Sequence, residues 1–256
     1  MDCMERRSEP YLAAMDTLYA ALKNKRPPPE QRAGILGRVA WAVTRAIAAF
    51  LFLSTALVVI YKFVPVPVTI TMILDPRGFT KEWTPLTRID RNMVDAAIAG
   101  EDGKFCEHNG FDHEAIMKAF ERNQRGGRIR GGSTISQQTA KNVFLWQGGG
   151  YLRKGLEAWF TVLIETIWGK RRIMEVYLNV AETGIGTYGA QAAAQRYYNK
   201  SAIKLSRVEA ARIAAAFPQP KVRAVTGATG RVRRRGNAIA AQVSTVRTGY
   251  DACVYL

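Results

Sequence analysis

Between Ala46 and Tyr61 the chain reads AIAAFLFLSTALVVIY, sixteen residues without a charge. Carried back to Val39 and on to Val64, the apolar stretch covers 26 residues, interrupted by Arg45 and closed by Lys62. A bilayer core is crossed by roughly 20 mostly apolar residues, and basic side chains at the ends can snorkel to the surface. A cleaved signal would lie nearer the start and end in a small-residue site, whereas KFVPVPV follows here. A buried core helix would carry a polar stripe, and this run has only Ser54 and Thr55. The expectation is a single transmembrane helix over 39–64. Eight Lys and Arg residues lie within residues 1–45. By the positive-inside rule, the basic segment 1–38 is then cytoplasmic and residues 65–256 are periplasmic.

That topology changes how the charge is read. The 256 residues hold 37 Lys and Arg against 21 Asp and Glu, a net charge of +16. Of this, +3 falls in residues 1–45, +7 in 62–216 and +6 in the last 40. A basic surface seeks polyanions, and beside a bilayer these are anionic or pyrophosphate lipids rather than nucleic acid. Three cysteines exclude a disulfide scaffold, and Cys106 and Cys253, both on the exported side, are read as free thiols although a bridge is open to them. His108 and His113 are five apart, off a common helix face, so no metal site is expected on them.

Past the anchor, VPVTITMIL (66–74) is β-branched and reads as a short strand or extended connector. The pattern then turns helical. Asp90, Asp112 and Ser133 stand where helix caps belong, Tyr151 to Trp168 is a long amphipathic segment, and Ser206-Arg-Val-Glu209 is a capping box whose helix Pro218 stops. The fold class expected is mostly α, a single helical domain with its core at about 75–220.

Three stretches carry chemistry. Glu101-Asp102 closes an apolar helix, where a carboxylate pair opposes the macrodipole and needs compensation. One outcome is a raised Glu pKa suited to base catalysis; the plainer one is a solvated surface pair. In RIRGGSTISQQTAKN, Gly132, Ser133 and Thr134 sit at a helix mouth able to bind an anion. Thr134, Gln138 and Lys141 share one face of that helix, a hydroxyl, an amide and an ammonium suited to phosphate oxygens. In RKGLE, Arg153 and Glu157 are either a surface ion pair or a second carboxylate beside Arg153 and Lys154, which would face an anion. Ser201-Ala-Ile-Lys204 matches S-x-x-K by coincidence, since no Lys-Thr-Gly follows.

In order and spacing these stretches resemble the motifs of the glycosyltransferase family 51 peptidoglycan polymerases. EDGKFCEHNGFD (101–112) is similar to the first motif, GGSTISQQTAKN (131–142) to the second, RKGLE to the third, and residues 170–202 to the fourth and fifth. Ser136, where Thr is usual, and Cys106 are departures. The resemblance implies a lysozyme-like helical fold and, as substrates, lipid II and the lipid-linked nascent glycan. It implies Glu101 as general base and Glu157 as the group assisting the leaving pyrophosphate, directly or through a divalent cation, Mg²⁺ or Mn²⁺. Lys141, Arg153 and Lys154 would neutralise the pyrophosphate. Thr134, Gln138 and Asn142 would hold phosphate and sugar groups, while Asp102, Phe105 and His108 would support the loop after Glu101. Membrane lipids and other cell-wall synthases are the implied surroundings. Two rivals remain open: a lytic glycan hydrolase, which also uses two carboxylates, and a non-enzymatic membrane scaffold.

Overall fold

The computed structural model describes residues 35–124 and 132–255, together with Met15, Thr17, Tyr19 and Ala20. The expected cytoplasmic segment therefore lies almost wholly outside the described residues, as do Cys3 and Gly131. Helix α1, Ile35–Phe63, runs for 29 residues and is long and apolar enough to cross a bilayer. The chain divides at Leu53. The last ten residues of α1 belong to the compact unit that continues to the C-terminus, and three contacts hold them there. Trp159 Nε1 donates to Ser54 Oγ (3.1 Å), Trp168 Nε1 to the Val58 carbonyl (2.7 Å), and Arg172 to the carbonyls of Tyr61 and Val64.

Of the short strand or extended connector expected at 66–74, the strand is not formed and the connector holds as far as Thr69. Pro65 and Pro67 keep the chain extended, but no neighbouring strand pairs with it. Instead Thr69 caps a single turn, α2 (Ile70–Ile73), by accepting from Met72 N, and Met72 is buried. Packing of one side chain decides the backbone here, against β-propensity. The strands lie elsewhere: β1 (Thr80–Lys81), then β2 (Glu182–Gly184) and β3 (Thr187–Tyr188), in the order β1-β3-β2. β1 runs parallel to β3 with Thr80 opposite Thr187, and β2 runs antiparallel to β3 with a bulge. The Gly-rich stretch ETGIGTYG (182–189) is thus a hairpin.

The remainder is helical. α3 is Arg91–Glu101, α4 His113–Gln124, α5 Ile135–Phe144, α6 Gly150–Ile167 and α7 Gly169–Val180. α8 (Ala190–Tyr198), α9 (Arg207–Ala216), α10 (Gly230–Thr245) and the short α11 (Ala252–Tyr255) complete the chain. Asp90 caps α3 through Asn92 N, and Ser206 with Glu209 forms the capping box of α9. At α5 the cap is Thr134, not Ser133: its hydroxyl accepts from Gln137 N while Gln137 Oε1 accepts from Thr134 N. The box needs a Gln or Glu three residues on, and only Thr134 has one.

α7 lies at the centre, with Ile173, Met174, Val176, Tyr177 and Leu178 all buried. α3, α9 and α10 meet through alanines, among them Ala96, Ala97, Ala210, Ala211 and Ala214, which let the backbones approach closely. On the other side Phe144 of α5 stacks on Phe160 of α6, with ring centroids 4.4 Å apart.

The thiol reading is corrected. Cys106 and Cys253 form a disulfide across 147 residues of sequence, with Cα atoms 5.5 Å apart. Two cysteines that far apart give no local signal, and only the fold brings them together. In the chain-entropy view a bridge this long destabilises the unfolded chain by roughly 5 kcal/mol.

Buried Asn179 accepts from Thr84 N and donates to Thr84 O, both at 2.8 Å, and so pins the segment before α3 to α7. Asn179→Ala leaves two buried backbone groups unpaired. We expect a loss of about 2–6 kcal/mol in denaturant unfolding of the detergent-solubilised protein, at roughly 1–3 kcal/mol for each of the two unpaired groups. A loss below about 0.5 kcal/mol would show that water takes over both bonds.

Candidate active site

Helix α3 delivers Glu101 at its last turn and Asp102 just beyond. The two adjacent carboxylates are compensated separately. Asp102 Oδ2 accepts from Ile135 N, the first amide of α5, at 2.9 Å, and Oδ1 meets His108 Nε2 at 2.9 Å. Gly110 N donates to His108 Nδ1 (3.1 Å), so Nε2 carries the proton that reaches Asp102. The mouth of α5, expected to receive a ligand anion, is thus met from within by the Asp102 carboxylate. The Thr134 hydroxyl is also spoken for, since it donates to Gly110 O at 2.7 Å while capping α5.

Glu101 is held differently. Its Oε2 accepts from Gln138 (3.0 Å) and its Oε1 from Arg235 (3.1 Å), and Arg235 also donates to the Gly100 carbonyl (2.6 Å). The Glu101 side chain is only 7% exposed. Burial pushes its pKa above the ordinary value near 4.5, while Gln138, Arg235 and Arg223 pull it down. Of the two readings left open for the Glu101-Asp102 pair, the buried one is realised. Arg235 was missed in the sequence, where it is one of three consecutive arginines on α10 with nothing to single it out.

The loop between Asp102 and Gly110 is fixed from three sides. Phe105 is fully buried beneath Lys170, whose ammonium lies 4.6 Å from the ring centre and donates to His108 O (2.6 Å) and Glu165 (2.7 Å). Glu165 in turn takes the hydroxyl of Ser136, the departure noted in the second motif. Gly110 (φ +90) has no room for a side chain: a Cβ there would stand 2.6 Å from Thr161 Cγ2. Gly132 is less confined, 3.1 Å by the same measure from Ala115 O, and Ser133 beside it is half-buried.

The third stretch is also buried rather than superficial. Glu157 is 2% exposed, yet both its oxygens meet cations, Oε2 with Arg153 (2.7 Å) and Oε1 with Lys154. Burial lowers the pKa of Lys141, the nearby Glu157 raises it, and Arg153 and Lys154 lower it further. Asn142 follows Lys141 on α5, half-buried. Two cations thus pair with one buried carboxylate and Lys141 stands nearby, an excess of positive charge that a doubly charged anion would balance. A divalent cation fits this arrangement poorly. Among the described residues no three His, Cys, Asp or Glu side chains gather at one point, and both Glu157 oxygens are already taken.

The sequence profile of the family described as "Transglycosylase" matches residues 69–244, which includes α3, α5, α6 and most of α10. The chain belongs to the transglycosylase family. It is 50% identical over 223 residues to the biosynthetic peptidoglycan transglycosylase of Caulobacter vibrioides, covering 78% of this chain and 97% of that one. To the protein so named in Pasteurella multocida it is 46% identical, covering 78% and 85%. To that of Pseudomonas aeruginosa it is 49% identical, covering 67% and 78%. This transglycosylase is accordingly an enzyme that transfers glycosyl groups.

In this transglycosylase the raised pKa of Glu101 has consequences of known sign. The folded state binds the proton more tightly, so the stability linked to Glu101 is complete below pH 4.5 and is lost as pH rises through the folded pKa. Arg235→Ala removes one of the influences that hold the pKa down. With Glu101 as the base proposed below, the acid limb of kcat/KM is expected to move to higher pH in that variant. A pH–rate profile superimposable on the wild type would show that Arg235 does not hold Glu101.

Proposed function

We propose that this protein polymerises glycan chains from lipid II and releases polyprenyl pyrophosphate. The supporting observation is the division of labour between two buried carboxylates: Glu101 with its raised pKa, and Glu157 locked among Lys141, Arg153 and Lys154. A base must be poised near its working pH, and cations must wait where negative charge develops.

In this reading the 4-hydroxyl oxygen of the acceptor sugar attacks the anomeric carbon of the lipid-linked donor chain. Its proton passes to Glu101, the bond from that carbon to the pyrophosphate oxygen breaks, and the configuration inverts. Gln138 and Arg235 fix the Glu101 carboxylate. Arg153 presents a planar fork to the phosphates, Lys141 and Lys154 add point charges, and Glu157 holds Arg153 and Lys154 in place. Asn142 and Ser133 extend the polar lining, and Thr134 acts by ordering the start of α5. The substrate's polyprenyl tail places the reaction at a membrane surface, which suits an enzyme carrying α1.

Glu101→Gln removes the proton acceptor while conserving shape. Turnover of lipid II by the detergent-solubilised variant should fall roughly 100- to 10,000-fold with binding nearly intact. Lys141→Ala and Arg153→Ala should each cost on the order of 2–4 kcal/mol in transition-state stabilisation. Arg153→Lys should lose less, because charge survives and only the bidentate fork is lost. Release of soluble muropeptides from purified sacculi, insensitive to Lys141→Ala, would identify a hydrolase instead.

The membrane topology is proposed on the same basis, with the N-terminus cytoplasmic and the catalytic unit periplasmic. A cysteine introduced at exposed Val222, in a chain lacking Cys3, is expected to react with an impermeant maleimide added to intact spheroplasts. Reaction only after the inner membrane is lysed would reverse the orientation.

A further inference from the structure

We infer that the Cys106–Cys253 disulfide and Asp251 are positioning groups for Glu101, closing the C-terminal segment over the catalytic helix as a clamp. The contacts run the whole length of α3. At its start Arg91 Nε donates to Asp251 Oδ2 (2.6 Å), and the Arg91 guanidinium lies 4.8 Å from the ring centre of Tyr255. Along its body Arg247 donates to Asp95 Oδ2 (2.7 and 2.9 Å) and to Asn92 Oδ1 (2.9 Å). At its end Arg235 holds Gly100 O and Glu101. Beyond that end the chain turns back, and Cys106 is bonded to Cys253. Residues 251–253 therefore join the start of the catalytic helix to the loop that follows it.

Without the covalent bond this closure would rest on weaker parts. Arg91 is 43% exposed, and an ion pair with one solvated partner contributes little. Arg171 donates to the Val254 carbonyl (3.0 Å), and Val254 is buried, but both lie past the point where the loop is tied. The tied loop bears Asp102, Phe105 and His108, which set the relation between Glu101 and α5. The same bond anchors the far end of the segment that carries Arg235. Catalytic geometry is sensitive to shifts of an ångström or less, so slack at either place reaches Glu101.

Opening the clamp should alter chemistry more than substrate binding, because Lys141, Arg153 and Lys154 stand on α5 and α6, outside it. Among the described residues, the charged and titratable groups facing Glu101 include Lys141 on α5, Tyr177 on α7, Arg223 before α10, and Arg235. Arg235 alone of these lies on α10, the helix tied down through Arg247, Asp251 and Cys253. Loosening it should therefore move the Glu101 titration upward.

The inference rests on the proposed polymerisation of lipid II. The test uses the full-length protein with Cys3→Ser, in detergent and at a temperature where circular dichroism shows it folded in both redox states. After reduction by tris(2-carboxyethyl)phosphine, kcat for lipid II should fall about tenfold or more. KM should change less than about twofold, with the acid limb moved up by about half a pH unit. Reoxidation by oxidised glutathione should restore all three. Cys106→Ser/Cys253→Ser should match the reduced protein and ignore the reductant. Asp251→Asn keeps the disulfide and should show a smaller shift of the same sign. An unchanged kcat and pH limb on reduction, with only the melting temperature lowered, would overturn the clamp and leave a purely stabilising bridge. Failure of the oxidised protein to polymerise lipid II would instead overturn the functional reading beneath it.

Discussion

The carboxylate of Asp102 is the joint on which the site depends. It receives the first amide of α5 and the proton-bearing nitrogen of His108, and it does so one residue after Glu101. A helix C-terminus carrying two negative charges would be unfavourable in isolation. Here the negative end of α3 is set against the positive end of α5, so each helix relieves the other. The same contact fixes how far Glu101 stands from Gln138 and Lys141 on the face of α5. Fold and site are joined through one side chain.

Around that joint, charge is sorted by burial. Glu101 and Glu157 are both enclosed, but they are treated in opposite ways. Glu101 has an amide and a single guanidinium, so desolvation prevails and its proton is held more tightly. Glu157 is neutralised by two directly bonded cations with Lys141 nearby, which makes it a scaffold for positive charge. In the proposed mechanism the first carboxylate takes a proton and the second organises cations. That asymmetry suits the proposed transfer from a pyrophosphate donor, whereas hydrolysis of an uncharged glycan needs no cation cluster.

The outer support is built from the chain's extremities. The last ten residues of α1 are received by Trp159, Trp168 and Arg172, and the C-terminal segment is secured by Asp251 and Cys253. An apolar helix suited to a bilayer and a strongly basic tail would each read as an appendage. Instead the last ten residues of the one pack on α6 and α7, and the other packs on α3, all helices that bear candidate site residues.

Much of this was legible in the sequence because it is local. The apolar run of α1, the caps at Asp90 and Ser206, and the order of the motif residues are properties of neighbours along the chain, decided by hydrophobic periodicity and by amides seeking partners within a turn. The shared face of Gln138 and Lys141 follows from helical pitch in the same way. Other features depend on residues far apart in sequence. Nothing near residue 235 marks the arginine that reaches Glu101, and nothing near Cys106 points to Cys253. Residues 66–74, by pattern a short strand or extended connector, run extended to Thr69 and then make a helical turn that buries Met72. The mouth of α5 was read as open to a ligand because the sequence cannot show that Asp102 already stands there. Local chemistry determined which elements form and which residue types they carry. Tertiary structure decided which charges face one another, since burial and pairing over many residues are properties of the packed chain alone.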